Sequence, residues 1–374
     1  LRGFAVVCCR SFGKFAGIAE IRISSNADRR FMIIPPFLLE RHFAKYEFEV
    51  PYQLSCSDCE PLGLAGLLAM APPEAVRHWE NLKLSYTESA GHPLLRSEIA
   101  CWYGNLEPQD ILVCVPEEGI FLVMNALLKP GDRITCQSPA YQSLFEVAKS
   151  AGVVVDFWEA GPDGEYHPEH LIEALTPETR MVVVNFPHNP TGSMIDREPF
   201  EGIATLCRER GILLFSDEMY RGLEAEPDRM LPVAASLYEG AVSLCGMSKS
   251  FALPGLRIGW LACRNPEIRD RLVRIKDYTT ICSSAPSEIL AIIALQNRDR
   301  ILDRNRAIIR NNIGLVESLV SGHADVLWWR PPKAGSVALL DLGPGLDPEA
   351  VCHELLVKKE TLAIGSHLFG SDRP

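Results

Sequence analysis

The run Ser243-Leu-Cys-Gly-Met-Ser-Lys-Ser-Phe-Ala-Leu-Pro-Gly-Leu-Arg-Ile-Gly-Trp260 sets one lysine, Lys249, among small and apolar residues, with Arg257 eight positions on. Met247, Ala252 and Leu253 would desolvate the amine and favour its neutral form. A neutral amine attacks a carbonyl carbon. The planar fork of an arginine holds a phosphate. An aldehyde cofactor with a phosphate tail needs both groups, which points to pyridoxal phosphate. Taken alone, Lys249 could equally be an exposed loop lysine.

Two further segments narrow the choice. Asn185-Phe-Pro-His-Asn-Pro-Thr-Gly192 follows the apolar run Met181-Val-Val-Val184, and Phe215-Ser-Asp-Glu-Met-Tyr220 follows Ile212-Leu-Leu214. Both look like short buried strands ending in polar residues, and ligands of open parallel sheets sit beyond the strands' carboxyl ends. In this order and at this spacing, the three segments resemble the class I/II aminotransferases, pyridoxal-phosphate enzymes of fold type I. The resemblance runs from about Pro51 onward.

The resemblance implies a role for each matching residue. Lys249 would form the Schiff base and shuttle the α-proton. Asp217 would pair with the pyridinium nitrogen, although a helix N-cap is its plain alternative. Tyr220 and Asn189 would donate to the ring's phenolic oxygen, with Pro190 and Gly192 shaping the loop. Tyr141, in Ser138-Pro-Ala-Tyr, would stack on the ring, or else serve as a core tyrosine. Ser248 and Arg257, with Glu117 and Glu118 at a helix start, would surround the phosphate. Tyr86 matches a tyrosine that reaches the phosphate of the partner subunit's cofactor, which implies a homodimer with a composite site. A surface or core tyrosine is the competing account of Tyr86.

Three departures stand out. The phosphate loop is Val115-Pro-Glu-Glu-Gly119 where small residues are usual. A helix N-terminus attracts phosphate, but Pro116 lacks an amide and the two acids must point away. The position three before the lysine, often a serine, is Gly246. The family's arginine for the substrate carboxylate lies beyond a segment resembling Gly365-Ser-His-Leu-Phe-Gly370; Arg373 comes too early, so a truncated chain is expected.

The elements that must position these groups alternate. Strands are expected at 111–115, 133–137, 153–158, 181–184, 212–216 and 241–245, with helices between them at 116–128, 141–151, 167–175 and 197–210. That pattern gives a three-layer α/β/α fold with a mainly parallel sheet. A smaller α+β domain is expected from 32–74 and 301–374, packed on a large cofactor domain at 75–300. Residues 1–31, with six basic and two acidic residues and no methionine before Met32, read as an extension outside the working fold or a transit peptide.

Composition limits the partners. The 374 residues are 47% hydrophobic and carry a net charge of −11, which disfavours nucleic acid and anionic membranes. No apolar run reaches the length of a membrane span. Twelve scattered cysteines suit a reduced, cytosolic protein. Cys56-Ser-Asp-Cys59 has metal spacing but no second pair beside it, so no metal is expected. The resemblance implies that Ser57, Asp58, Cys59 and Glu60 border the substrate pocket, where an acidic arm would favour a basic amino acid; a solvated turn or a helix start is the alternative. The expected activity is amine transfer from an amino acid to a 2-oxo acid. Elimination or amino-acid cyclisation on the same fold, and non-catalytic cofactor or ligand binding, are the alternatives.

Overall fold

The computed structural model describes residues 33–369 and the backbone of one earlier strand, β1 (Ala5–Cys9). Its centre is a seven-stranded sheet. In chain order the strands are β3 (Ile111–Cys114), β4 (Arg133–Ser138), β5 (Val154–Glu159), β6 (Thr179–Asn185), β7 (Leu213–Asp217), β8 (Ala241–Gly246) and β9 (Gly259–Ala262). Their spatial order is β3-β9-β8-β7-β6-β4-β5. All neighbours from β8 to β5 run parallel, and β9 is antiparallel to both β8 and β3.

The apolar runs explain this arrangement. Parallel strands covered on both faces read as continuous hydrophobic stretches, and Met181 to Val184 and Leu214 to Phe215 are fully buried. The helix Pro116–Leu127 starts with proline in its first turn, where the missing amide costs nothing. The helix Arg197–Arg210 stops at Gly211, which takes the left-handed conformation that glycine adopts freely.

A second sheet orders β10 (Leu327–Trp329), β11 (Val337–Leu342), β1 and β13 (Ile364–Gly365). A two-stranded pair joins β2 (Tyr52–Gln53) to β12 (Thr361–Leu362). Segment 1–31 therefore does not stand wholly outside the fold: β1 lies between β11 and β13, parallel to both. The rest of that segment lies outside the described residues, as do Gly370 and Arg373.

The two sheets meet beside Gly192, at φ +67°. A Cβ there would lie 2.3 Å from Pro332 Cβ and 2.7 Å from the Val337 carbonyl oxygen. Gly192→Ala is expected to cost about 2 kcal/mol or more, because both the backbone angle and the space oppose it. A thermal melt should show Tm lower by several degrees; an unchanged Tm would contradict this account of the junction.

Candidate active site

Strands β6, β7 and β8 end side by side. Asn185 and Asp217 are register partners, and Asn185 Nδ2 donates to the Asp217 carbonyl at 3.0 Å. Asn185 Oδ1 in turn accepts the Asn189 amide at 2.7 Å, which fixes the start of the following loop. His188 braces the same loop from within, contacting the Pro139 carbonyl at 2.8 Å and Thr191 Oγ1 at 2.6 Å. Burial pushes His188 down to about 3, so it is a neutral structural group. After β8 the chain turns through Met247 and Ser248 to Lys249.

A cavity of about 680 Å³ opens where these ends converge. Tyr141, Asn189, Asp217, Tyr220, Ser248, Lys249, Arg257 and Glu117 all line it. That size suits a small-molecule ligand. Lys249 Nζ donates to Ser57 Oγ at 2.5 Å, and the Ser57 carbonyl accepts the Ser336 hydroxyl at 2.7 Å. Tyr141 donates to Glu40 Oε1 at 2.9 Å and packs on Phe37 with ring centroids 4.9 Å apart.

The electrostatics are those of a site that lacks a charged partner. Asp217 is buried and accepts the Met219 amide at 3.1 Å. Burial pushes its carboxyl up to about 7, with Glu117 and Glu218 adding to the rise and the Met219 amide and Lys249 opposing it. The Tyr220 hydroxyl is buried without a well-formed hydrogen bond; Ser57 lies close enough to ease its ionisation slightly, but burial raises it strongly. Unsatisfied buried polar groups are costly and concentrate at functional sites. A cationic ring nitrogen for Asp217 and an oxygen for Tyr220 would satisfy both, so the residues present fit the ring of pyridoxal phosphate.

The two acids at the helix start part company. Glu118 does not reach the cavity, contrary to its expected place by the phosphate. It accepts the Val115 amide at 3.2 Å and the Thr280 hydroxyl at 2.8 Å, and Thr279 bonds the same carboxylate. Glu117 does face the cavity. Burial pushes it up to about 7, while Ser143 and Arg257 pull the other way. At Gly246 a Cβ would come within 3.0 Å of Gly259 Cα and Pro116 Cγ. The antiparallel return of β9, which the sequence reading lacks, is what leaves no room for a serine there.

Tyr86 is 88% exposed and stands outside this chain's own cavity. Of the arm residues, Ser57 and Asp58 line the cavity, Cys59 is buried and Glu60 is exposed. The Cys59 thiol is pushed up to about 12 by burial, which suits a packing role. Among the described residues no cluster of three His, Cys, Asp or Glu could hold a metal, and no helix is long and apolar enough to cross a membrane. The helix Leu38–Tyr46, with the turn after it, supplies Glu40, Arg41 and Glu47 to the cavity wall, none of which the sequence reading singled out.

Comparison with known proteins places this geometry. A family profile described as aminotransferase class I and II matches residues 75–364. Capreomycidine synthase of Streptomyces vinaceus is 27% identical over 90% of this chain and 87% of its own length. The aspartate/prephenate aminotransferase of Thermus thermophilus is 31% identical over 58% of each chain. Among solved structures, a PLP-dependent aminotransferase from Streptococcus suis superposes with a TM-score of 0.84 at 27% identity, covering 91% of both chains. The PLP-dependent cyclase OrfR superposes with a TM-score of 0.82 at 28% identity, covering 93% of this chain and 92% of its own. The chain belongs to the class I and II aminotransferase family, the fold type I enzymes whose cofactor is pyridoxal 5'-phosphate.

Proposed function

We propose that this protein moves the amino group of an amino acid to a 2-oxo acid, with Lys249 as the residue that tethers pyridoxal phosphate. The observation that carries this reading is the meeting of the Lys249 amine, the buried Asp217 carboxyl and the unpaired Tyr220 hydroxyl in one cavity. The bound cofactor supplies an electron sink for the pair left at Cα. Asp217 holds the proton on the ring nitrogen, which keeps that sink strong. Tyr220 and Asn189 donate to the phenolic oxygen, and Tyr141 flanks the ring. Arg257 and the Ser248 hydroxyl take the phosphate, with the amides at the helix start. Once substrate displaces it, Lys249 carries the proton between Cα and the carbon that receives the amine. In a homodimer, Tyr86 would complete the phosphate site across the interface.

A second reading is cyclisation or elimination on the same residues. Its support is the nearly full-length similarity to a synthase and to a cyclase, beside an equally full-length match to a PLP-dependent aminotransferase. Products separate the two. Cofactor-loaded protein given an amino acid and a labelled 2-oxo acid is expected to yield a labelled amino acid. More than one equivalent of product per cofactor with no acceptor present would contradict transfer; a ring-closed amino acid would then establish cyclisation, and free ammonia elimination.

A further inference from the structure

The charges on the cavity wall do not balance once the cofactor is seated. This inference rests on the function proposed above and adds a substrate class to it. Asp217 and Arg257 are matched by the ring nitrogen and the phosphate. Glu40 already accepts the Tyr141 hydroxyl, and Glu117 has Ser143 and Arg257 beside it. Glu47 and Asp58 remain, both half-buried on the wall, and among the described residues neither side chain has an ion pair or hydrogen bond.

The backbone that carries both carboxylates is held in place. The Gln53 side-chain amide grips the Glu47 carbonyl and reaches the Val50 carbonyl at 3.3 Å. Asp58 follows Ser57, which is pinned by Lys249 on one side and Ser336 on the other. Two residues further, the Glu60 carbonyl accepts Arg304 Nη1 at 2.9 Å. Asp58 and Glu47 are close enough to repel: burial raises the Glu47 carboxyl, and Asp58 and then Glu40 add to it, against the pull of Lys249. Arg41 does not settle the imbalance. It stands six positions before Glu47, where helix neighbours are three or four apart, and no ion pair joins it to either acid among the described residues.

An independent sign of a further ligand lies in the same cavity: the Ser55 hydroxyl on its wall, 1% exposed and unpaired among the described residues. We infer that the substrate is an amino acid whose side chain ends in a cation, an ammonium or a guanidinium, held between Glu47 and Asp58. A cation between two paired carboxylates makes charge-assisted hydrogen bonds in a desolvated setting, where they are strongest. Neutral or acidic side chains would leave the two acids opposed.

The test uses the cofactor-loaded protein and follows its visible absorbance on titration with L-lysine, L-arginine and L-norleucine, which lacks only the ammonium of lysine. Lysine or arginine should bind at least about tenfold more tightly than norleucine, and Glu47→Gln and Asp58→Asn should each cut that ratio by roughly tenfold. A structural role for either acid would weaken all ligands alike and leave the ratio in place. Equal affinities in the unmodified protein, or variants that preserve the ratio, overturn the inference while the proposed function stands. A protein that takes up no cofactor overturns both.

Discussion

Lys249→Ala is expected to replace the imine absorbance of the cofactor-loaded protein by that of the free aldehyde and to lower turnover by at least about 10⁴-fold, the upper range for loss of one general acid/base. The lysine sits in the loop after β8, half-buried, and among the described residues its amine's one hydrogen bond is to Ser57. Its removal therefore breaks no core packing, and Tm should change little. Ser57 cannot replace it, because a hydroxyl neither forms the tether nor carries a proton near neutral pH. An imine band that persists in the variant, or turnover within tenfold of the unmodified protein, would contradict the assignment.

Asp217→Asn is expected to lower turnover by roughly 10²- to 5 × 10³-fold. Breaking a buried charge pair costs about 3–5 kcal/mol, which is the same range expressed as a rate. The amide keeps the shape and still accepts the Met219 amide proton, but it cannot hold a charged ring nitrogen. The same variant has the opposite effect on the cofactor-free chain. Asp217 is raised from the ordinary 3.8 to about 7 in the folded protein, so the folded state binds the proton more tightly than the unfolded state. The penalty for an ionised, buried carboxylate then grows as pH rises from about 4 through 7. Asparagine removes that penalty. Between pH 5 and pH 8 the cofactor-free variant should gain about 3 kcal/mol on the unmodified protein. Denaturant midpoints at the two pH values check this, and a gain in the other direction would contradict it.

Much of the sheet was legible because its parallel strands are covered on both faces. Met181-Val-Val-Val184 and Ile212-Leu-Leu214 could hardly be anything else, and the expected ends fall within two residues of β6 and β7. β9 was not legible: Gly259–Ala262 is short, starts with glycine and follows directly on the residues that read as a phosphate motif. β1 was missed for a different reason. Its partners, near Leu339 and Ile364, lie more than three hundred residues away, and no local pattern encodes such a pairing. At the site, polar residues directly after apolar runs announced Asn189, Asp217 and Lys249. Glu40, Arg41, Glu47 and Ser57 carry no such signal, since they reach the cavity only through the packing of the N-terminal helix and arm. Glu117 and Glu118 show the limit most clearly. They are adjacent on one helical turn, and the Val115 amide together with the distant Thr279 and Thr280 draws Glu118 away.

Chemical trapping tests the central claim most directly. Reducing the cofactor-loaded protein with borohydride, digesting it and mapping the peptides by mass should place the reduced cofactor on Lys249 alone. The mass of that cofactor on any other lysine, such as the fully buried Lys276, with Lys249 unmodified, would contradict the account.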